Sequence, residues 1–195
     1  MDPDSDWIVS GGQYSLDYDG TNDRVVFPTA LITGTGDFTI TNHFRINAGT
    51  RFHTLQGNYS AANVTGIQFG VFNTNKLFVF VSSGSSLIGA TTLTVGTWYF
   101  GACVRQSGVV TVYVNGIADA TGTRSGSVGG STTWRIGQGD TGEDLAGRSN
   151  DCRVYDRALS TNELARLQSR IGIAFELAPR RRSSVQVVAG FKAAW

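Results

Sequence analysis

Histidine and cysteine, on which much metal and nucleophilic chemistry depends, are scarce in this chain, with two of each in 195 residues. His43 and His53 lie far in sequence from Cys103 and Cys152, so neither a clustered metal site nor a Cys–His pair is indicated. His53, between Phe52 and Thr54, reads as a hydrogen-bonded structural side chain. The cysteines fall on expected strands among apolar neighbours and read as buried free thiols. A bridge stays open only if the strands bring their Cα atoms within about 4.4 to 6.8 Å.

Charge is also scarce. Charged residues make up 16% of the chain and the formal net charge is +1, which gives no general attraction for nucleic acid. No apolar run approaches the roughly 20 residues needed to cross a bilayer, so membrane insertion is not expected. The amino terminus, Met1-Asp2-Pro3-Asp4-Ser5-Asp6, lacks the basic and then apolar regions of a signal peptide. The expected location is therefore cytoplasmic at synthesis. The triplets starting at Asn58 and Asn63 match the glycosylation pattern, which in this setting reads as chance.

Paired catalytic acids are missing as well. A glycosidase needs two carboxylates flanking one bond, and no Glu-x-Asp-x-x-Glu run occurs. Glu143 and Asp144 are adjacent, so on a strand they would point to opposite faces. Asp17 and Asp19 alternate but border a turn, where carboxylates usually bond the backbone. The chain is expected not to be an enzyme.

Short strands separated by glycine-containing turns dominate what is present, and the chain holds 25 glycines. Tyr14, Leu16 and Tyr18 alternate over 13–20, and Arg24-Val25-Val26-Phe27 follows a turn. In 38–46, Phe38, Ile40, Phe44 and Ile46 keep period two if Asn42 faces inward or a bulge breaks the register there. Further strands are expected at 51–56, 66–72, 76–82, 91–95 and 133–137. A hairpin is expected over 98–114, closed by Asn115-Gly116. The Gly/Ser-rich stretch 122–132 reads as a flexible connection. Spacing of some ten residues between breaks predicts an all-β, two-sheet antiparallel jelly-roll sandwich.

One short helix is expected near residues 161–170. Ser160-Thr161-Asn162-Glu163 has capping-box spacing, Leu164 and Leu167 share a face, and Gly172 supplies a stop. Such a helix is marginal alone and must pack on the sandwich.

Together, Ser15-Leu16-Asp17-Tyr18-Asp19-Gly20-Thr21-Asn22-Asp23, Phe38-Thr39-Ile40, Thr97-Trp98-Tyr99, Val112-Tyr113-Val114-Asn115-Gly116 and the stretch from 147 through Arg153-Val154-Tyr155 to Glu163-Leu164 carry a resemblance. The chain resembles the laminin G-like jelly roll of the concanavalin A-like lectin and glucanase superfamily over about residues 12 to 170. The resemblance implies two curved sheets with Trp98, Tyr113, Val154 and Tyr155 near the core or its rim. Members bind glycans or proteins, cleave polysaccharides or build assemblies, so function stays open. The family often carries a rim calcium, for which Asp19, Asp23, Asn150 and Asp151 are the metal candidates. No cofactor is otherwise expected. Tyr59, Asn73, Trp134, Asp140, Glu143 and Asp144 are the ligand-binding candidates, as aromatic faces and hydrogen-bonding groups suited to sugars.

The expected division is an extension at 1–11, a sandwich at 12–172 and a basic and apolar arm at 173–195. In the arm, Arg180, Arg181 and Arg182 form a basic joint, and Val185, Val187, Phe191 and Trp195 are too apolar for an ordinary disordered tail. An apolar strand that completes a neighbour's sheet would explain the arm, and so would one folding back on its own sandwich. Asp2, Asp4 and Asp6 could pair with the basic joint of a neighbouring copy. The leading expectation is a non-catalytic structural or adhesion module of an assembly such as a phage-like virion or tail, with itself or another assembly protein as partner. The alternative is an isolated lectin-like module that binds a surface glycan. Nucleic acid is not expected as a partner.

Overall fold

A computed structural model describes residues 7–10, 13–60, 65–82, 84–129, 133–140, 142–169 and 187–188. Fourteen strands and one helix are assigned in them: β1 (Trp7–Ser10), β2 (Gln13–Asp19), β3 (Val25–Phe27), β4 (Phe38–Ile46), β5 (His53–Gly57), β6 (Ile67–Val71), β7 (Leu77–Val81), β8 (Leu87–Ile88), β9 (Trp98–Gln106), β10 (Val109–Val114), β11 (Ile117–Thr123), β12 (Trp134–Ile136), β13 (Ala146–Tyr155), α1 (Thr161–Ser169) and β14 (Val187–Val188). An eight-stranded antiparallel sheet runs β1-β2-β13-β4-β9-β10-β11, with β14 also on β13. A six-stranded sheet runs β3-β12-β5-β6-β7-β8. This is the all-β sandwich the strand spacing predicts.

Alternation builds the core between the sheets. Phe38, Ile40, Phe44 and Ile46 of β4 meet Phe69, Val71, Leu77 and Val79 of the other sheet in one buried cluster. Asn42 does face inward, and β4 keeps an unbroken register with β9. The irregularity lies on β13 instead, where one extra residue intervenes between Asn150 and Arg153. Asn42 Oδ1 is satisfied there, accepting from Ser149 Oγ at 3.0 Å and Cys152 Sγ at 3.3 Å. Both cysteines are free thiols. Burial pushes the Cys152 thiol up to about 12 and Cys103 upward too, so neither is a nucleophile at neutral pH.

Helix α1 covers part of the outer face of the eight-stranded sheet. Leu164 and Leu167 pack with Phe100, Ala102, Val104, Tyr155 and Leu159. The capping box forms as its spacing predicts. Glu163 Oε2 accepts from Ser160 N at 2.9 Å, and Ser160 Oγ accepts from Glu163 N at 3.3 Å.

Two expectations need correction. Residues 91–95 form no strand, because Thr91 N–H bonds Asp119 Oδ1 and Leu93 N–H bonds Asn75 O, leaving no ladder. The edge pairing on β7 is made by Leu87 and Ile88 instead. The 122–132 connection is partly structured: Gly122 and Thr123 belong to β11, and Val128 is buried with its N–H on Gly34 O. Arg105, fully buried, donates to the carbonyls of Gly34, Gly36 and Gly126 and lies 4.6 Å from the Phe38 ring centroid. One guanidinium thus ties this loop to the 34–36 turn.

In the arm, Val187 and Val188 pair with Val154 and Arg153 of the same chain, on the edge of β13 beyond its pairing with β2. Arg180, Arg181, Arg182, Val185, Phe191 and Trp195 lie outside the described residues. Strand β1, in the stretch expected to be an extension, pairs with β2.

Candidate functional site

The outer face of the six-stranded sheet carries a shallow recess. Its walls follow from strand period. On β12, Trp134 and Ile136 point into the core and Arg135 points out. On β6, Ile67, Phe69 and Val71 point in, and Gln68 lies on the other face. A register shift between Thr54 and Gln56 re-aims β5, so that Thr54 Oγ1 accepts from Gln68 Nε2 at 2.7 Å. Gly57 keeps the floor low, since a Cβ there would strike the Ile67 carbonyl.

Tyr59 forms one lip of the recess, with its ring edge-on to Phe80 at 4.9 Å between centroids. Gln138, Gly139 and Asp140 form the other, and Asp140 accepts from Arg135 at 3.1 Å. The lining thus combines an aromatic ring and the apolar Ile67 with amide, guanidinium and carboxylate groups. A second aromatic group, Phe52, Phe72 and Phe78, packs edge-to-face at the far end of the same sheet, with centroids 4.6 to 6.2 Å apart.

Of the ligand-binding candidates, Tyr59 and Asp140 line the recess. Glu143 adjoins it: its carbonyl accepts from Thr54 N–H, and its side chain occupies the space a Cβ on Gly139 would need. Asn73 is exposed in the turn between β6 and β7. Trp134 offers no ring to a ligand, because it is fully buried in the core with Nε1 3.4 Å from Gln56 Oε1. Asp144 is buried and accepts from Asn22 N at 3.1 Å, holding the β2–β3 loop. Sequence reading missed Thr54, Gln68, Arg135 and Gln138. Arg135 was within reach, since the alternation Trp134-Arg135-Ile136 already turns it outward.

The metal candidates are split between two places. Asp19 Oδ1 accepts from Thr21 N–H and Asp23 Oδ2 from Asp19 N–H, as turn-capping acids do. Asp144 Oδ1 nearby is buried without a hydrogen-bond partner, but one oxygen falls well short of the six to eight that calcium takes. Arg51, donating to Gly20 O and Asp144 O, already places a cation there. Asn150 pairs with His43 across the strands, and both Asp151 oxygens are taken by Arg153. Among the described residues no three His, Cys, Asp or Glu side chains gather as a metal site.

His53 is a structural side chain. It is fully buried, its Nδ1 accepts from Ala146 N–H at 3.2 Å, and Nε2 therefore donates to Ala48 O at 2.9 Å. Burial lowers its pKa to about 4. His43 stacks obliquely on Phe100 and is also shifted downward by burial. The Asn58 side chain is buried, bonding Val128 O and Ile67 N–H, so its glycosylation triplet is inaccessible. No described helix is long and apolar enough to cross a membrane.

The two antiparallel sheets form a lectin-like jelly-roll sandwich. The chain belongs to the concanavalin A-like lectin/glucanases superfamily, whose family model matches residues 19–165. No curated protein matches it. Among solved structures it is similar to a heptameric SAP-like pentraxin from Limulus polyphemus, with TM-score 0.68 and 18% identity over 92% of this chain and 94% of that one. It is similar too to domain 4 of an extracellular arabinanase from Geobacillus stearothermophilus, in complex with arabinotriose, with TM-score 0.67 and 17% identity over 83% and 80%. A sialidase carbohydrate-binding module from Ruminococcus gnavus, bound to sialyllactose, matches with TM-score 0.58 and 15% identity over 69% and 84%. At these identities the likeness is one of fold.

Proposed function

We propose that this chain is a non-catalytic glycan-binding module and that the recess between Tyr59 and Asp140 is its sugar site. The observation that carries the reading is the pairing of an aromatic lip with convergent hydrogen-bonding groups from Gln68, Arg135, Gln138 and Asp140. Sugars present both apolar C–H faces and rings of hydroxyls, and such a surface addresses both. The arabinotriose and sialyllactose complexes of proteins with this fold support the class of ligand. Catalysis is not part of the proposal. Asp140 is committed to Arg135, which favours its charged form over that of a general acid.

The test is a glycan array probed with the full chain and with Tyr59→Ala and Gln68→Ala. Binding of a saccharide that both variants weaken at least tenfold, about 1.4 kcal/mol, supports the reading. An array with no hits, or hits that both variants retain, overturns it. Released sugar would overturn the non-catalytic part.

A second reading, an assembly role, rests on β14. Among the described residues two pairs join it to β13, on an edge that could equally accept a strand from a second copy. Light scattering across a concentration series tests this, and a mass that stays monomeric throughout removes homotypic assembly. A phage-like or virion setting would be one context for either reading.

A further inference from the structure

Helix α1 leaves part of the eight-stranded sheet's outer face open. Beyond His43 and Phe100 the register sets four residues in a row across four strands: Asp17 on β2, Arg148 on β13, Arg45 on β4 and Trp98 on β9. Their flanking neighbours Leu16, Tyr18, Phe44, Ile46 and Tyr99 belong to the core side, so period two puts the whole row outside.

Among the described residues the row carries two guanidiniums and one carboxylate. Arg45 and Arg148 are direct cross-strand partners, a position where Cβ atoms lie about 5 Å apart and like charges are destabilising. Of the two, Arg148 alone contacts the Asp17 carboxylate. Arg148 Nε reaches Asp17 Oδ1 at 3.4 Å, a long contact beside the 2.6 Å of Arg153 to Asp151. Arg45 Nε donates instead to the neutral Asn47 Oδ1 at 3.1 Å. At the end of the row Trp98 is 40% exposed, a large ring left on the surface next to Arg45. Among the described residues, packing explains neither the paired arginines nor the exposed indole.

We infer that this row is a second binding site, for an anionic saccharide, on the sheet opposite the recess. The carboxylate or sulfate of an acidic sugar supplies the missing negative charge between Arg45 and Arg148, whose planar forks match either group. The pyranose face then lies on the Trp98 indole. Arg148 stays oriented by Asp17 on its other side. The site does not depend on the Tyr59 recess.

The experiment titrates the full chain with tetragalacturonate, sulfated maltotetraose and neutral maltotetraose, followed by calorimetry and tryptophan fluorescence. The expected result is binding of at least one acidic probe with a change in indole emission and at least tenfold weaker binding of the neutral one. Preference between the two acidic probes tells carboxylate from sulfate. Arg45→Gln/Arg148→Gln and Trp98→Ala should each weaken the acidic probe at least tenfold, whereas Tyr59→Ala should not. Because Arg45→Gln removes a like-charge pair, its Tm should equal or exceed that of the parent, separating lost binding from lost fold. Equal binding of neutral maltotetraose, no binding of either acidic probe, or undiminished binding by the double variant overturns the inference. Loss in Tyr59→Ala alone would place the probe in the recess and overturn it as well.

Discussion

Asp151 and Arg153, two residues apart on β13, form a two-pronged ion pair at 2.6 and 2.8 Å on the helix-facing side of the sheet. Arg153 is 2% exposed, and Asp151 adopts a left-handed φ of 51° at the bulge. Burial works against the Arg153 charge, and the hydrogen bonds and field of Asp151 outweigh it, holding the pKa above its ordinary value. Asp151→Asn tolerates the same backbone but leaves the guanidinium without a counter-charge. Urea unfolding should show a loss of about 3 kcal/mol. A loss under about 0.5 kcal/mol would show that the pair contributes little.

Gly137 has φ +87°, and a Cβ there would run into the Tyr18 ring, which is 2% exposed in the core. Gly137→Ala meets both backbone strain and collision, so its cost should exceed about 2 kcal/mol. Gly142, also at positive φ but with open space around it, gives the control. Gly142→Ala should cost about 1 kcal/mol, from the backbone alone. Equal Tm losses in the two would contradict the Tyr18 contact.

Glu163 is held down to about 2, chiefly by its hydrogen bond to Arg157 and further by Ser160. A carboxylate depressed in the folded state contributes stability that is full above its unfolded value near 4.5 and is lost as pH falls towards 2. Glu163→Gln should therefore lower stability at pH 7, by about 0.5 to 2 kcal/mol as cap losses do, and the gap to the parent should close between pH 4.5 and 2. A gap that is constant with pH would contradict the charged cap.

His53 should titrate near 4 in histidine ring NMR, well below its ordinary 6.5. The unfolded chain takes up that proton first, so the His53 contribution to stability falls as pH drops from about 6.5 to 4 and then levels. A ring midpoint near 6.5 would contradict the buried, Nδ1-accepting tautomer.

Much of this fold was legible because it depends on period and spacing. The alternation of 38–46 gave β4 and the Asn42 question, and Ser160-Thr161-Asn162-Glu163 gave the helix start. What escaped depends on contacts remote in sequence. Asp119 and Asn75 draw the 91–95 backbone out of any ladder, and Arg105 gathers carbonyls from two distant turns. The candidate site was half legible for the same reason. Tyr59 and Asp140 stand out as residue types, but that they face Gln68 and Arg135 across one recess depends on the β5 register shift. Trp134 shows the opposite error, an aromatic read for its chemistry whose place on β12 is inward.

The most direct test of the central claim is amide chemical-shift mapping of the full chain on adding the saccharide that binds best in the array. Glycan recognition at the recess should move the amides of Gly57, Tyr59, Gln68, Gln138, Gly139 and Asp140 as one group with a common Kd. Shifts that leave these residues unmoved and cluster elsewhere would contradict the assignment of the recess as the sugar site.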